Sequence, residues 1–338
     1  MYKILRRVLA LSLLCVLSAA CASPASSTIS APSPAATKVQ ATPPTSFPAA
    51  PYPTTVASDR CPANLSFVAS CQTPLSMRIA YGVEPLIQRG YTGKGQTVVD
   101  IVSFGSPTLQ RDIDVFDHQF GLPPITVKQI SPLNEAASDP RGDRPGWGDE
   151  TTLDVEIIHA LAPDAGIVVL VSPVAETEGT AGLPEFRQLL QYAIDHKLGT
   201  IVSQSWGASE ATLADPAGQA EIRTWDALFQ QATTRDGMTL LASSGDNGAT
   251  DFTDLQGSRL SSTATSSFPN DDPWVTSVGG TSLHRSGNAF GESAWSGSGG
   301  GMSKFFARPA YQQTLPAGVQ SLLQNRRGLP DVAADADP

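Results

Sequence analysis

The stretch Ile167-Val168-Val169-Leu170-Val171 consists of five apolar residues in succession, most of them β-branched. Such a run predicts a strand that is buried on both faces, as in a parallel sheet. A helix is predicted before it at residues 149–161, where Leu153, Ile157 and Leu161 share one face. A second helix is predicted after it at residues 184–197, with Pro184 in the first turn, which proline tolerates.

The same alternation extends outward from this unit in both directions. Further strands are predicted at residues 97–102, 125–130, 200–203, 238–242 and 274–278, and further helices at residues 108–120 and 221–232. Strands that alternate with helices indicate an α/β fold, with a mostly parallel sheet and helices on both faces. Beyond Gly279 the chain is rich in Gly and Ser, and long loops are expected there.

Length and charge restrict the possible functions. The chain has 338 residues, enough for one large domain or two ordinary ones. Its 22 basic and 32 acidic residues give a formal net charge of -10. A nucleic-acid-binding protein would need a basic surface, so this class is disfavoured.

The N-terminus has the features of an export signal, predicted over residues 1–21. Lys3, Arg6 and Arg7 precede an apolar run at residues 8–17 that is too short for a permanent membrane span. Residues 17–21 resemble a bacterial lipobox ending at Cys21, although the large aliphatic residue stands one place too far upstream. Lipidation of Cys21 and ordinary cleavage nearby therefore both stay open.

Residues 22–58 are almost all Ala, Ser, Pro and Thr, a composition that cannot bury a core. We expect a disordered linker that separates a domain at residues 59–338 from a membrane or wall surface. Once the signal segment is removed, Cys61 and Cys71 remain in the exported chain. A local disulfide between them is predicted.

Two acidic residues on one predicted helix are candidate catalytic groups. Glu150 and Asp154 are four residues apart, which places both carboxyl groups on one helix face. Like charges at this spacing cost stability, but one carboxyl can keep a proton and bond to the other. The pair could then serve as a base and its orienting partner. The alternative is an acidic helix start, with Asp149, that complements the helix dipole.

A third acidic residue follows a predicted strand. Residues 240–248 run from an apolar strand into a turn in which Gly245 and Gly248 surround Asp246. Ligands bind at the carboxyl ends of strands in open parallel sheets. A protonated Asp246 there could donate a hydrogen bond to a developing oxyanion. The alternative is a turn aspartate that bonds only to its own backbone.

An ordered set of motifs over about residues 80–338 resembles the sedolisins, the serine-carboxyl peptidases with the subtilisin architecture. The set comprises residues 93–96, 120–123, 150–156, 203–207, 242–248, 275–281, 298–303 and 328–338. The resemblance implies a subtilisin-like α/β fold, incomplete at its C-terminus. It also implies a serine-type endopeptidase that acts on protein or peptide substrates in acid. In that interpretation Glu150 is the general base, Asp154 orients it, and Asp246 donates to the oxyanion.

A conventional subtilisin is disfavoured because no histidine lies in a His-Gly-x-His helix start. Such an enzyme would also need an aspartate at the end of the first strand, where Ser103-Phe104-Gly105 stands instead. Asp100 comes three residues earlier, so it is expected on the opposite strand face and not to substitute.

The family's nucleophile lies in a Gly-Thr-Ser ahead of an Ala-rich helix, and no serine of this chain fits. Ser282 follows Gly280-Thr281 without such a helix, and Ser303 belongs to an earlier motif. The resemblance implies that the serine and a C-terminal calcium site lie beyond residue 338. We therefore interpret the chain as a truncated, inactive and monomeric form of an exported peptidase, with membrane contact only through a lipid anchor. The alternative is a pseudo-protease, tethered at the cell surface, that binds peptides without cutting them.

Overall fold

The computed structural model describes Cys61 and residues 71–133, 137–286 and 289–337. The predicted signal peptide, the lipidation site at Cys21 and the predicted linker lie outside these residues. Cys61 and Cys71 are joined by a disulfide. Within the described ranges, no helix is both long and apolar enough to cross a membrane.

A mostly parallel sheet forms the centre of the fold. Its strands, in chain order, are β1 Thr97–Ser103, β2 Lys128–Ile130, β3 Gly166–Ser172, β4 Ile201–Ser203, β6 Thr239–Ser243, β8 Thr276–Ser286, β9 Ala289–Ala294 and β12 Val332–Asp335. The spatial order is β12-β8-β6-β4-β1-β3-β2, all parallel, and β9 pairs antiparallel with β8. Two small antiparallel pairs lie outside it: β5 Ala208–Ser209 with β7 Ser267–Phe268, and β10 Gly301–Ala307 with β11 Arg326–Leu329.

Helices cover both faces of the sheet, as the sequence predicts. They are α1 Pro74–Ala80, α2 Glu84–Gln88, α3 Leu109–Phe120, α4 Arg144–Leu161, α5 Leu183–Asp195, α6 Pro216–Thr234 and α7 Ala317–Leu323, with a 3-10 turn at Ala310–Thr314. The larger core cluster packs α5 and α6 against the face that holds Val99 and Ile101. The smaller cluster packs α3 and α4 against the face that holds Val102. The α/β class is confirmed.

Helix α4 begins at Arg144, five residues before the predicted start. The Asp139 carboxylate accepts hydrogen bonds from the amides of Asp143 at 2.7 Å and Arg144 at 3.3 Å, which satisfies two donors at the helix start. Pro145 is compatible with a first turn. Glu150 therefore lies beyond the first turn, which contains no acidic residue. The interpretation of Glu150 and Asp154 as an acidic helix start is wrong.

Two other differences between the predicted and the observed elements concern strands. The predicted strand at 125–130 is reduced to Lys128–Ile130. The prediction of long loops beyond Gly279 is wrong, because β8 continues to Ser286 and four further strands follow. A Cβ at Gly279 would lie 2.5 Å from Pro330 Cγ, and one at Gly280 would lie 2.6 Å from Trp295 Cε3. Glycine therefore permits close packing inside this strand rather than marking a loop.

Candidate active site

Three adjacent strands end at one edge of the sheet and bring the candidate residues together. Strands β4, β6 and β1 are neighbours and run in the same direction. Ser205 follows β4, and Asp246 follows β6. Helix α4, which holds Glu150 and Asp154, packs against β1 and β3. This is the edge at which open parallel sheets bind ligands.

Glu150 is partly buried between the other two carboxyl groups. Burial raises its pKa to about 7, and the charges of Asp154 and Asp246 act in the same direction. A hydrogen bond from Ser205 opposes the shift. A glutamate with this environment binds a proton more tightly than an exposed one, as a general base must do.

Asp154 is the carboxyl group that the four-residue spacing on α4 predicts beside Glu150. Burial raises its pKa to about 6, while hydrogen bonds with Ser205 and Asp100 lower it. The Ser205 hydroxyl donates to Asp154 Oδ1 at 2.8 Å. Asp154 is therefore more easily ionised than Glu150, so it can remain the negatively charged member of the pair.

Asp246 lines a cavity of about 210 Å³. Burial raises its pKa although the side chain reaches the surface, and the charge of Asp251 adds to the shift. The raised pKa favours the protonated, hydrogen-bond-donating form. The alternative turn interpretation requires a bond from Asp246 to its own backbone, and none occurs in the part of the chain that the structure describes.

The cavity beside Asp246 has mixed walls that include two more carboxyl groups. It is lined by residues from several loops, among them Glu178 after β3, Ser205 and Trp206 after β4, Asp251 after β6 and Gly299 before β10. The turn that holds Asp246 is hydrogen-bonded to the segment around Gly299, because the Gly299 amide donates to Gly245 O at 2.7 Å. The Ser244 hydroxyl donates to Gly299 O at 3.0 Å.

Sequence reasoning missed Asp100 as a neighbour of the candidate site, although Asp100 lies on the strand face opposite to Ser103, as expected. Val99 and Ile101 belong to the α5–α6 core, whereas Val102 belongs to the α3–α4 core. Asp100 shares the face of Val102 because side chains alternate along a strand. It lies under α4, in hydrogen-bonding contact with Asp154. The available signal was an aspartate inside an otherwise apolar strand, since a buried charge needs a partner.

The two serines considered in the sequence lie elsewhere. Ser282 is on β8, where its hydroxyl donates to Asp337. Ser303 is fully buried, and its hydroxyl donates to Glu210 Oε1 at 2.6 Å or Asp271 Oδ2 at 2.9 Å. The hydroxyls of both serines thus contact other carboxyl groups, and the structure does not bring either one to Glu150.

The described part of the chain lacks a cluster of potential metal ligands. No group of three or more His, Cys, Asp or Glu side chains in it could hold a metal ion. The calcium site that the resemblance implies was expected beyond residue 338, and it stays a prediction.

Comparison with known proteins gives a consistent relationship. No model of a known protein family matches the chain. It is 30% identical over 282 residues to kumamolisin from Bacillus sp. (strain MN-32), an alignment that covers 81% of this chain and 47% of kumamolisin. It is also 30% identical over 255 residues to sedolisin from Pseudomonas sp. (strain 101), covering 71% of this chain and 41% of that protein. The chain thus spans less than half the length of these relatives.

The fold agrees with a solved structure of the same kind. Pseudomonas sedolisin, described as a serine-carboxyl proteinase complexed with two molecules of pseudo-iodotyrostatin, matches with a TM-score of 0.63 at 24% identity. The match covers 80% of this chain and 72% of that chain.

Proposed function

Because the chain is related to the sedolisin family of serine-carboxyl peptidases, we propose that it forms part of the catalytic domain of an acid-acting serine endopeptidase. One observation supports this more than any other. Glu150 and Asp154 contact Ser205, which lines the same cavity as Asp246, and all three carboxyl groups have raised pKa values. Perturbed carboxyl groups in a cleft are typical of catalytic sites.

The proposed chemistry is acyl transfer through a covalent intermediate. Glu150 removes the proton from a serine hydroxyl as its oxygen attacks the scissile carbonyl carbon. Protonated Asp246 donates a hydrogen bond to the resulting oxyanion. Glu150 then gives its proton to the leaving amine, and water hydrolyses the acyl-enzyme in the reverse sequence. Asp154 stays ionised and stabilises the proton on Glu150.

The two ionisation requirements predict an acidic pH optimum. Glu150 must be ionised and Asp246 protonated in the reactive form, which gives a bell-shaped profile. The maximum of such a profile falls between the two pKa values, whichever group has the higher one. The pKa of Glu150 is about 7, and that of Asp246 is raised from an ordinary 3.8. The optimum is expected below neutrality, because Asp246 must keep its proton to donate to the oxyanion.

We propose that the nucleophilic serine is not among residues 1–338. The hydroxyls of Ser282 and Ser303 donate to other carboxyl groups, as described above. Ser205 contacts both members of the carboxyl pair, and in the structure its hydroxyl donates to Asp154 Oδ1 at 2.8 Å. Ser205→Ala is therefore the control that separates a positioning serine from a nucleophile.

The experiment is a peptide-cleavage assay from about pH 3 to about pH 8, since a bell-shaped profile is expected. It compares residues 1–338 with the protein that the complete gene encodes. We expect cleavage with an acidic optimum from the complete gene product and none from residues 1–338. Absence of cleavage from both would overturn the peptidase proposal. Cleavage by residues 1–338 that is lost in Ser205→Ala would overturn only the proposal on the nucleophile.

A second candidate function is peptide binding without cleavage. The cavity beside Asp246 favours it, because the site is formed although neither Ser282 nor Ser303 reaches it. Binding of fluorescent peptides to residues 1–338, together with no cleavage by the complete gene product, would favour this pseudo-protease.

We also propose that the protein is exported, with protein or peptide substrates outside the cell. Lys3, Arg6, Arg7 and the apolar run at residues 8–17 support export. Mass spectrometry of the mature N-terminus distinguishes a lipidated Cys21 from an unmodified N-terminus created by ordinary cleavage. Detection of residues 1–17 in the mature protein would contradict export by this route.

A further inference from the structure

Asp100 is a carboxyl group in the interior of the parallel sheet. Strands β3 and β4 lie on either side of it, with Val169 and Ser203 directly opposite, and it is 0% exposed. An isolated ionised carboxylate in such a place is costly, so it must be neutral or paired with a donor.

Burial raises the pKa of Asp100 most, and the two charges that act on it most strongly are also acidic. They belong to Asp154 and Glu150, both on α4, and both favour the protonated form of Asp100. The amide of Ile101 favours the ionised form, but burial and the two neighbouring charges outweigh it.

Asp100 and Asp154 cannot both be ionised at rest. With two carboxylates, both Asp100 oxygens and Asp154 Oδ2 lack hydrogen-bond partners among the described residues. A single proton turns this repulsive contact into a hydrogen bond. Ser205 already donates to Asp154 Oδ1 at 2.8 Å, which stabilises the ionised form of Asp154. The proton therefore belongs on Asp100.

We propose that Asp100 is a positioning residue that keeps a proton and donates it in a hydrogen bond to Asp154. Asp154 is then held between the Asp100 and Ser205 hydroxyls, ionised and at a fixed distance from Glu150. A fixed negative charge strengthens Glu150 as a base. The catalytic consequence rests on the proposed function, whereas the shared proton is a property of residues 1–338 themselves.

The test is the pH dependence of unfolding of residues 1–338, which requires no cleavage activity. Asp100→Asn replaces the protonated carboxyl by an amide that donates at every pH. The parent must release the Asp100 proton on unfolding, because an exposed aspartate is ionised above about pH 4. Relative to Asp100→Asn, the parent's unfolding equilibrium constant should rise by up to about tenfold per pH unit between about pH 5 and about pH 7. A ratio that does not change with pH would overturn the inference.

Measuring the effect of Asp100→Asn in the Asp154→Asn background shows whether the proton on Asp100 depends on its contact with Asp154. The amide introduced by Asp154→Asn has no charge and can donate to an ionised Asp100. In this background Asp100→Asn should therefore change the pH dependence of unfolding by less than it does in the parent. Asp272 is the matched control: it is also fully buried with a raised pKa, but the charges that face it are Asp226 and Arg327. The effect of Asp272→Asn should be the same in both backgrounds. An Asp100 effect that is also unchanged would overturn the inference.

The catalytic part is tested separately in the complete gene product. Asp100→Leu offers no donor, so its kcat should fall about a hundredfold below that of Asp100→Asn, with KM unchanged, as expected for a misplaced base. Equal kcat values would overturn the positioning role. If the unfolding data agree but no form of the protein cleaves peptides, the proposed function fails while the Asp100–Asp154 contact stands.

Discussion

Two glutamates on one helix show why a raised pKa alone does not identify a catalytic residue. Glu150 and Glu156 both lie on α4, and burial raises the pKa of each to about 7. The charges near Glu150 are Asp154 and Asp246, whereas those near Glu156 are Asp112 and Asp117. Glu150 is thus next to Asp246, which lines the cavity, whereas Asp112 and Asp117 near Glu156 do not, so position decides the proposed role of Glu150.

The oxyanion role of Asp246 predicts the effect of Asp246→Asn. The aspartate donates only when protonated, so ionisation should produce the alkaline limb of the pH profile. An amide donates at every pH, so in the complete gene product the variant should retain activity and lose that limb. The measurement is kcat/KM against pH, with the parent as reference. An alkaline limb that is unchanged in Asp246→Asn would show that another group causes it.

At the residue scale, the sequence predicted Glu150, Asp154 and Asp246 but not Asp100. The first three have local signals, namely a four-residue spacing and a turn after a strand. The contact of Asp100 depends on which sheet face α4 covers. No local pattern contains that information, because the faces are assigned by packing across the whole sheet.

At the scale of elements, apolar runs located the strand and helix centres, and contacts from elsewhere in the chain fixed their limits. Helix α4 begins where Asp139 satisfies its first amides, outside the periodic apolar pattern. Strands β11 and β12 escaped prediction because they form by non-local pairing: β12 pairs with β8, and β11 pairs with β10. Gly-rich sequence in such strands has weak intrinsic propensity.

The turn that presents Asp246 predicts a matched pair of glycine variants. A Cβ at Gly299 would lie 1.8 Å from Ser244 O, whereas one at Gly318 in α7 would meet nothing within 4 Å. Gly299→Ala should destabilise the chain by about 2–4 kcal/mol. Gly318→Ala should stabilise it by up to about 1 kcal/mol, because alanine favours a helix. Chemical denaturation of both variants checks this. Equal stabilities would mean that the turn is not packed against residue 299.

At the scale of the whole molecule, buried carboxyl groups dominate the electrostatics. Asp100, Glu176, Asp271 and Asp272 are fully buried with pKa values well above their ordinary ones, in every case chiefly through burial. Groups with lowered pKa values, such as Asp139, Asp254 and Glu292, lie at or near the surface. The fold as a whole therefore takes up protons when it forms.

This proton uptake predicts a protein that is most stable in acid. A group whose pKa is raised on folding contributes its full stability below its unfolded pKa and loses it as the pH rises through the folded value. For Glu150 and Glu178 that range extends from 4.5 to about 7. The free energy of unfolding should fall by at least about 2 kcal/mol between about pH 4.5 and about pH 7.5. Denaturant titrations at several pH values measure this, and stability that rises toward neutral pH would contradict it.

The central claim is that Glu150, through its place beside Asp154 and Asp246, is the base of an acid-acting peptidase site. The most direct measurement is kcat/KM for peptide cleavage by the complete gene product and its Glu150→Gln and Glu156→Gln variants, at the optimal pH. Both variants remove a partly buried glutamate with a pKa of about 7 from the same helix. The account predicts a loss of about 10²–10⁴-fold for Glu150→Gln and a loss of less than about threefold for Glu156→Gln. Equal losses in the two variants, or full activity in Glu150→Gln, would contradict it.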